Sequence, residues 1–236
     1  MRVGVLIQAR MSSRRLPGKV LKPLAGTPVL GRVVERCRAV RGTDLLAVVT
    51  SDKPSDDAVT GFAASAGVEL FRGPLDDVAA RFLGASEAFD LDAFVRVNAD
   101  SPLHDPTLIE RGVAMFRKGG ADLVTNVLRR TFPTGLSVEV VDRARYQEAY
   151  DGMDAEEREH VTLHYYRHPD AFRIASFESG RELGDRTLSI DTPEDFARIE
   201  RIVSAMDQAE RDFDWQATIA LAERLGALAR RSDLVS

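Results

Sequence analysis

Cysteine is nearly missing from this chain: Cys37 stands alone among 236 residues. One thiol excludes an internal disulfide framework and any cysteine-based zinc centre. Aromatic residues are scarce at 7%, which leaves little to stack against the bases of a single strand. No apolar run approaches the roughly 20 residues of a membrane span. The opening run Val3-Gly4-Val5-Leu6-Ile7 is broken at once by Gln8 and Arg10, which is not the shape of a signal peptide. A soluble, cytoplasmic chain with no membrane partner is therefore expected. Three motifs are also lacking. There is no GxxxxGK[ST] phosphate loop, no GxGxxG dinucleotide fingerprint and no GxSxG nucleophile elbow. His104, His164 and His168 lack carboxylate-rich metal spacing, so no histidine metal site is expected.

Acidic side chains are absent from the first 34 residues, where seven basic ones stand (Arg2, Arg10, Arg14, Arg15, Lys19, Lys22 and Arg32). Residues 1–40 carry +8 in a chain whose net charge is −5, so the remainder carries −13. A basic segment in an acidic protein is a local anion site and not a broad polyanion surface, which disfavours nucleic acid as a partner. Apolar residues make up 44%, enough for a sizeable core, and disorder is excluded. The length suits one large domain, or one domain with an added lobe, better than two.

Short apolar runs alternate with helical spacing. Strands are predicted at 2–8, 45–50, 68–71, 93–98 and 121–125. Helices are predicted at 28–40, 55–66, from Leu75 to Leu83, and at 106–117. Cys37 falls on the buried stripe of the first helix. This alternation specifies an α/β architecture with a mostly parallel sheet covered on both faces. Beyond residue 126 the pattern changes. Residues 137–141 alternate like an exposed strand, Asp154 to His168 form a charged helical stretch, and 172–177 and 186–190 read as strands. Thr192-Pro193-Glu194-Asp195 carries the signals of a helix start, and a final helix is predicted over 214–231.

Ligands of parallel sheets bind beyond the carboxyl ends of the strands. The polar residues of this sequence collect there: Gln8 to Lys19 after the first strand, Ser51 and Asp52 after the second, Asn98 and Asp100 after the fourth. The loop Ala9-Arg10-Met11-Ser12-Ser13-Arg14-Arg15-Leu16-Pro17-Gly18-Lys19 combines small residues, hydroxyls and cations that can surround a triphosphate. It can equally be a solvated basic loop. Asp100, facing such a loop, suits Mg²⁺, which takes one or two carboxylates and substrate phosphate oxygens; it can also simply form the turn before Ser101-Pro102. Asp191 is a second candidate, with helix capping as its other reading. Cys37, on a buried face, is no candidate nucleophile.

The stretch from Ile7 to Leu21, IQARMSSRRLPGKVL, resembles the opening of the cytidylyltransferases that make CMP-activated sugars, the spore-coat polysaccharide type above all. CMP-3-deoxy-octulosonate and CMP-sialate synthetases are more distant relatives. The likeness continues in order through Val48 to Asp52, Phe71 to Val78 with Arg81, Val95 to Leu103, Arg130 to Glu139, Arg158 to Thr162 and Ile190 to Asp195, and spans residues 1 to about 203. Asn98-Ala99-Asp100-Ser101 departs from the Thr-Gly-Asp-Cys of many members, and the tail beyond Asp207 matches nothing.

The resemblance implies a Rossmann-like nucleotide-diphospho-sugar transferase sheet, a single domain over 1–236, and a small α+β dimerisation and acceptor sub-lobe near 127–170. It implies an Mg²⁺-dependent transfer of CMP from CTP to an acidic sugar in polysaccharide or glycoconjugate biosynthesis, with release of pyrophosphate, by a homodimer. Arg10, Lys19 and Asp100 would be catalytic. Gln8, Ala9, Arg10, Ser12, Gly18, Lys19, Ser51, Asp52, Gly73, Asp77, Arg81 and Asn98 would surround the nucleotide. Arg130, Glu139, Glu159 and His160 would face the acceptor, and Asp100 and Asp191 would hold magnesium. A metal-dependent glycosyltransferase of the same fold, a phosphonate cytidylyltransferase and a non-catalytic nucleotide sensor stay open as alternatives.

Overall fold

A computed structural model of the protein describes residues 1–208 and 214–230. In chain order its elements are β1 (Val3–Gln8), the hairpin strands β2 (Pro23–Leu24) and β3 (Thr27–Pro28), α1 (Val29–Arg38), β4 (Leu45–Ser51), α2 (Asp57–Ala66), β5 (Glu69–Gly73), α3 (Val78–Ala88), β6 (Ala93–Asn98), α4 (Pro106–Arg117) and β7 (Leu123–Thr125). The second half follows as β8 (Glu139–Asp142), α5 (Arg143–Tyr150), α6 (Ala155–Glu159), α7 (Leu163–Arg167), β9 (Ile174–Ser176), β10 (Arg186–Thr187), α8 (Pro193–Gln208), α9 (Trp215–Arg224) and β11 (Ala229–Arg230).

Seven strands form the main sheet in the order β5-β4-β1-β6-β8-β7-β9. β1 pairs in parallel with β4 and β6, and β4 with β5. β8 runs antiparallel between β6 and β7. Alternate strand residues feed two cores. Val3, Val5 and Ile7 of β1 pack with α1, α4, α8 and α9, while Leu6 packs on the other face with α3 and α5. Burial on both faces is why these strands read as continuous apolar runs.

The second half differs from its sequence pattern in five places, each for a tertiary reason. Residues 137–141 do not form an exposed strand: β8 lies inside the sheet, and Glu139, whose charge suggested exposure, is buried against Arg96. The stretch from Asp154 to His168 is two short helices and not one. The turn between them is pinned by Tyr146, whose hydroxyl donates to the Val161 carbonyl (2.7 Å), and by Thr162, which donates to Glu139 (2.7 Å). Only Arg186–Thr187 of 186–190 is strand, because Leu188 and Ile190 give their amide hydrogens to the carbonyls of Thr134 and Asp100. The last helix stops at Arg224. Gly226 takes φ +58° and Ala227 N–H bonds back to Ala222 O, a glycine-terminated helix end. Finally, α5 has too weak an apolar stripe to be read from spacing. Its Asp142 cap accepts from Arg145 N–H, and Tyr146 anchors it in the core.

Candidate active site

The three chain segments that follow β1, β6 and β10 converge beyond the carboxyl ends of the strands. After Gln8 the chain is held on both sides: Ala9 N–H bonds Val49 O, and Ala99 N–H bonds Gln8 O (both 3.0 Å). The cationic loop then folds over. Met11 N–H donates to the buried carboxylate of Asp56 (2.7 Å), and Gly18 N–H to Met11 O (2.9 Å). Gly18 has φ +68°, a left-handed conformation that glycine adopts without strain, and it starts the single 3₁₀ turn at Lys19–Leu21. That turn aims the Lys19 side chain inward.

Lys19 Nζ lies 2.8 Å from Asp100 Oδ2, 2.9 Å from Asp191 Oδ1 and 2.6 Å from Ile190 O. Burial disfavours its ammonium form, but the two carboxylates outweigh burial and raise its pKa above the ordinary lysine value. Asp100 and Asp191 are brought side by side by the Ile190 N–H to Asp100 O bond (2.9 Å). Arg15 reaches Asp191 from the other side at 3.1 Å. Asp191 does not cap α8. Thr192 does, accepting from Asp195 N–H, while Asp195 accepts from the N–H groups of Asp191 and Thr192.

Other expected residues collect around Asp56, under the same cationic loop. Ser51 and Asp56 are buried and bonded to one another. Gly73 closes β5, its carbonyl accepting from Asp52 N–H (2.8 Å), and a Cβ there would press on Arg81. Asp77 caps α3 and accepts from Tyr150 OH (2.7 Å). Arg81 is fully buried. Its Nε and Nη1 meet no acceptor among the described residues. Burial, with Arg10 adding repulsion, lowers its pKa to about 10 against the pull of Asp56, Asp52 and Asp77. Ser12 and Asp52 stay exposed at the rim. Buried Cys37 has its thiol pushed up to about 12 by desolvation, which leaves it no thiolate chemistry near neutral pH.

A cavity of about 170 Å³ opens beside the carboxylate pair, lined by Arg96, Asn98, His104, Ser137, Glu139 and Asp191 among others. Burial works against the charged form of Glu139. Arg96 (2.9 Å) and the hydroxyls of Thr162 and Tyr166 nevertheless hold its pKa below the usual range. His104 Nε2 lies 2.8 Å from Ser137 O, and burial keeps the ring's pKa below the ordinary value. Gly135 on the cavity wall has φ +100° and sits against the Leu188 backbone, so no side chain fits there. Arg130 reaches Ser137 Oγ at 3.3 Å. Glu159 is exposed with its carboxylate 3.8 Å from Arg10, and His160 is exposed beside it.

Arg96 and Asp56 belong to this neighbourhood but were not singled out by the sequence reading. For Arg96 a signal existed, a charge inside the apolar run AFVRVN. For Asp56 there was none, since its partners Met11 and Ser51 lie 45 and 5 positions away.

A family model described as Cytidylyltransferase matches residues 4–226, which carries the likeness past Asp207 into α9. A spore coat polysaccharide biosynthesis protein of Bacillus subtilis is 34% identical over 209 residues, 84% of each chain. A 3-deoxy-manno-octulosonate cytidylyltransferase of Anaeromyxobacter is 28% identical, covering 86% of this chain and 98% of that one. The structure of a cytidylyltransferase from Leptospira borgpetersenii superposes with a TM-score of 0.91 at 28% identity over 98% of both chains.

Proposed function

Because the chain belongs to the cytidylyltransferase family, we propose that it moves CMP from CTP onto an acidic sugar at the crevice between the cationic loop and Asp100. One observation carries this reading: the Lys19 ammonium seated between Asp100 and Asp191, under a loop rich in arginine. An acceptor oxygen attacks the α-phosphorus in line. The bond to the bridging oxygen of the β-phosphate breaks, and pyrophosphate leaves with that electron pair. Such a transfer needs positioning and charge neutralisation and no covalent enzyme intermediate.

The donor set fits Mg²⁺. Two carboxylate oxygens already converge on one cation, and both are hard ligands that leave room for phosphate oxygens. When bound there, the ion would polarise the α-phosphate and offset charge on the leaving group. Asp100 and Asp191 would hold it. Lys19, released from them, would be free to meet the phosphates together with Arg10. Gln8, Ala9, Ser12, Gly18, Ser51, Asp52, Gly73, Asp77, Arg81 and Asn98 would enclose the rest of the nucleotide.

The acceptor would enter the polar cavity, its hydroxyls meeting Glu139 and Ser137 and its carboxylate meeting Arg96 or Arg130. Glu159 and His160 would form the outer wall. Among the described residues no helix is long and apolar enough to cross a membrane, in keeping with work on soluble substrates in the cytoplasm. We place the whole activity in one domain, with residues 127–170 as the sub-lobe through which two copies pair.

The test is pyrophosphate release from CTP, UTP, ATP and GTP across a panel of acidic sugars, glycosyl donors and phosphonates. CTP with an acidic sugar should turn over. Asp100→Ala should lower that rate by about 100- to 1,000-fold at saturating Mg²⁺ with an unchanged circular dichroism spectrum. Near-normal turnover of the variant would remove Asp100 from the reaction.

A further inference from the structure

Outside the crevice, Glu157, His164 and His168 come together across the α6–α7 turn, although their sequence spacing gave no hint of a metal site. The geometry points to a transition-metal site formed by these three side chains, one that takes zinc or a similar borderline cation. It shares no residue with the carboxylate pair proposed for magnesium.

The three ligand atoms lie within 4.8 Å of one another. His164 Nδ1 is 3.0 Å from Glu157 Oε2, and His168 Nε2 is 3.4 Å from Glu157 Oε1. Tetrahedral bonds of about 2.0–2.1 Å place neighbouring zinc ligands about 3.3 Å apart; each histidine nitrogen already stands near that distance from one oxygen of Glu157, and a small rotation of the exposed His168 ring would bring all three onto one ion. His164 and His168 are four residues apart, on one face of α7 and its cap, with ring centroids 4.6 Å apart. Four-residue spacing on a helix is how two imidazoles reach one ion. The carboxylate is preset as well. Glu157 is buried, and a reciprocal capping box with Asp154 fixes it at the start of α6. Burial disfavours its charge, but its bonds to His164 and Asp154 hold its pKa below the usual range, so it is ionised and ready as a ligand.

Two imidazole nitrogens and one carboxylate oxygen select borderline metals, whereas Mg²⁺ requires a nearly all-oxygen octahedron. Among the described residues Arg167 is the one lysine or arginine paired with the carboxylate, at 3.8 Å, and it keeps Asp154 and Glu156 as partners if it withdraws. His168 is exposed, which leaves an entry path and an open coordination position. Occupancy would tie α6, which ends at Glu159 facing Arg10, to α7 across the turn that carries Thr162, which bonds Glu139. The metal would thus stiffen the wall of the polar cavity from outside it.

The test uses metal-stripped full-length protein titrated with Co²⁺ in excess Mg²⁺. It is read by the visible d–d absorption of bound cobalt and by metal content per chain. One Co²⁺ per chain, displaced by Zn²⁺, is expected. His164→Ala and His168→Ala should each weaken binding by at least about tenfold, the least that losing even a supporting partner costs, while Asp100→Ala should bind cobalt as the wild type does. The exposed position of His168 keeps folding out of that comparison. Absence of the band in the wild type, its persistence in His168→Ala, or its loss in Asp100→Ala would each overturn the proposal.

Discussion

Lys19 shows how one side chain can organise a site before any ligand arrives. Its ammonium cancels the repulsion between Asp100 and Asp191, and both carboxylates raise its pKa. Lys19→Ala should lower kcat for CMP transfer by about 100-fold while changing the KM for CTP far less, because charge grows on the leaving pyrophosphate as the transition state forms. An unchanged kcat would count against that role. The same pairing has a thermodynamic consequence. A lysine whose folded pKa lies above its unfolded value of 10.5 stabilises fully below that pH, and loses the contribution as pH rises through the folded pKa. Thermal unfolding of Lys19→Met should therefore lack the part of the wild-type decline that begins above pH 10.5. The basic character of the loop was visible in the sequence. That Lys19 sits on two carboxylates was not, because they lie 81 and 172 residues away.

Among the elements, the start of α8 does most to place a functional group. Thr192 caps the helix, and Asp195 answers by accepting from the N–H groups of both Asp191 and Thr192 while pairing with Arg198 at 2.7 Å. The backbone of Asp191 is thus fixed by the cap of the next helix. Asp195→Ala removes the acceptor of the Asp191 and Thr192 N–H groups that completes the Thr192 cap, and leaves Arg198 without its carboxylate. It should cost about 2–4 kcal/mol in urea unfolding and slow CMP transfer. Asp195→Asn retains an acceptor and should recover most of the stability. Equal loss in both variants would show that the charge matters and the cap does not. The Thr-Pro-Glu-Asp signature announced this helix. Nothing local announced that its cap also sets a candidate metal ligand. The Asp154–His168 stretch makes the opposite case: its charge pattern reads as one helix, and bonds from Tyr146 and Thr162 break it.

At the scale of the whole molecule, the antiparallel β8 is the piece that joins the parallel half of the sheet to the half proposed to face the acceptor. It brings Glu139 beside Arg96 of β6, so one ion pair links the sheet centre to the cavity. The segment just before it, within the sub-lobe proposed for pairing, carries Leu128, one of two large apolar side chains left exposed among the described residues. Sedimentation should find the protein at twice the mass of its chain, and Leu128→Glu should shift it toward the single-chain mass. A wild type that sediments as one chain at assay concentration would exclude the homodimer.

By itself the sequence determined the α/β layering, the strands β1, β4, β5, β6 and β7 and the helices α1 to α4 to within a few residues, though not the short β2–β3 hairpin, and the collection of cations and acids beyond the carboxyl ends of the strands. Periodicity and end signals are local, and burial on two faces writes itself into every strand. Tertiary structure alone decided which of those polar groups meet: Lys19 between Asp100 and Asp191, Asp56 under the cationic loop, Glu139 inside the sheet, Glu157 between two histidines. Such contacts depend on where packing brings each segment, and no property of a residue's immediate neighbours encodes its distance to a partner 45, 81 or 172 positions away.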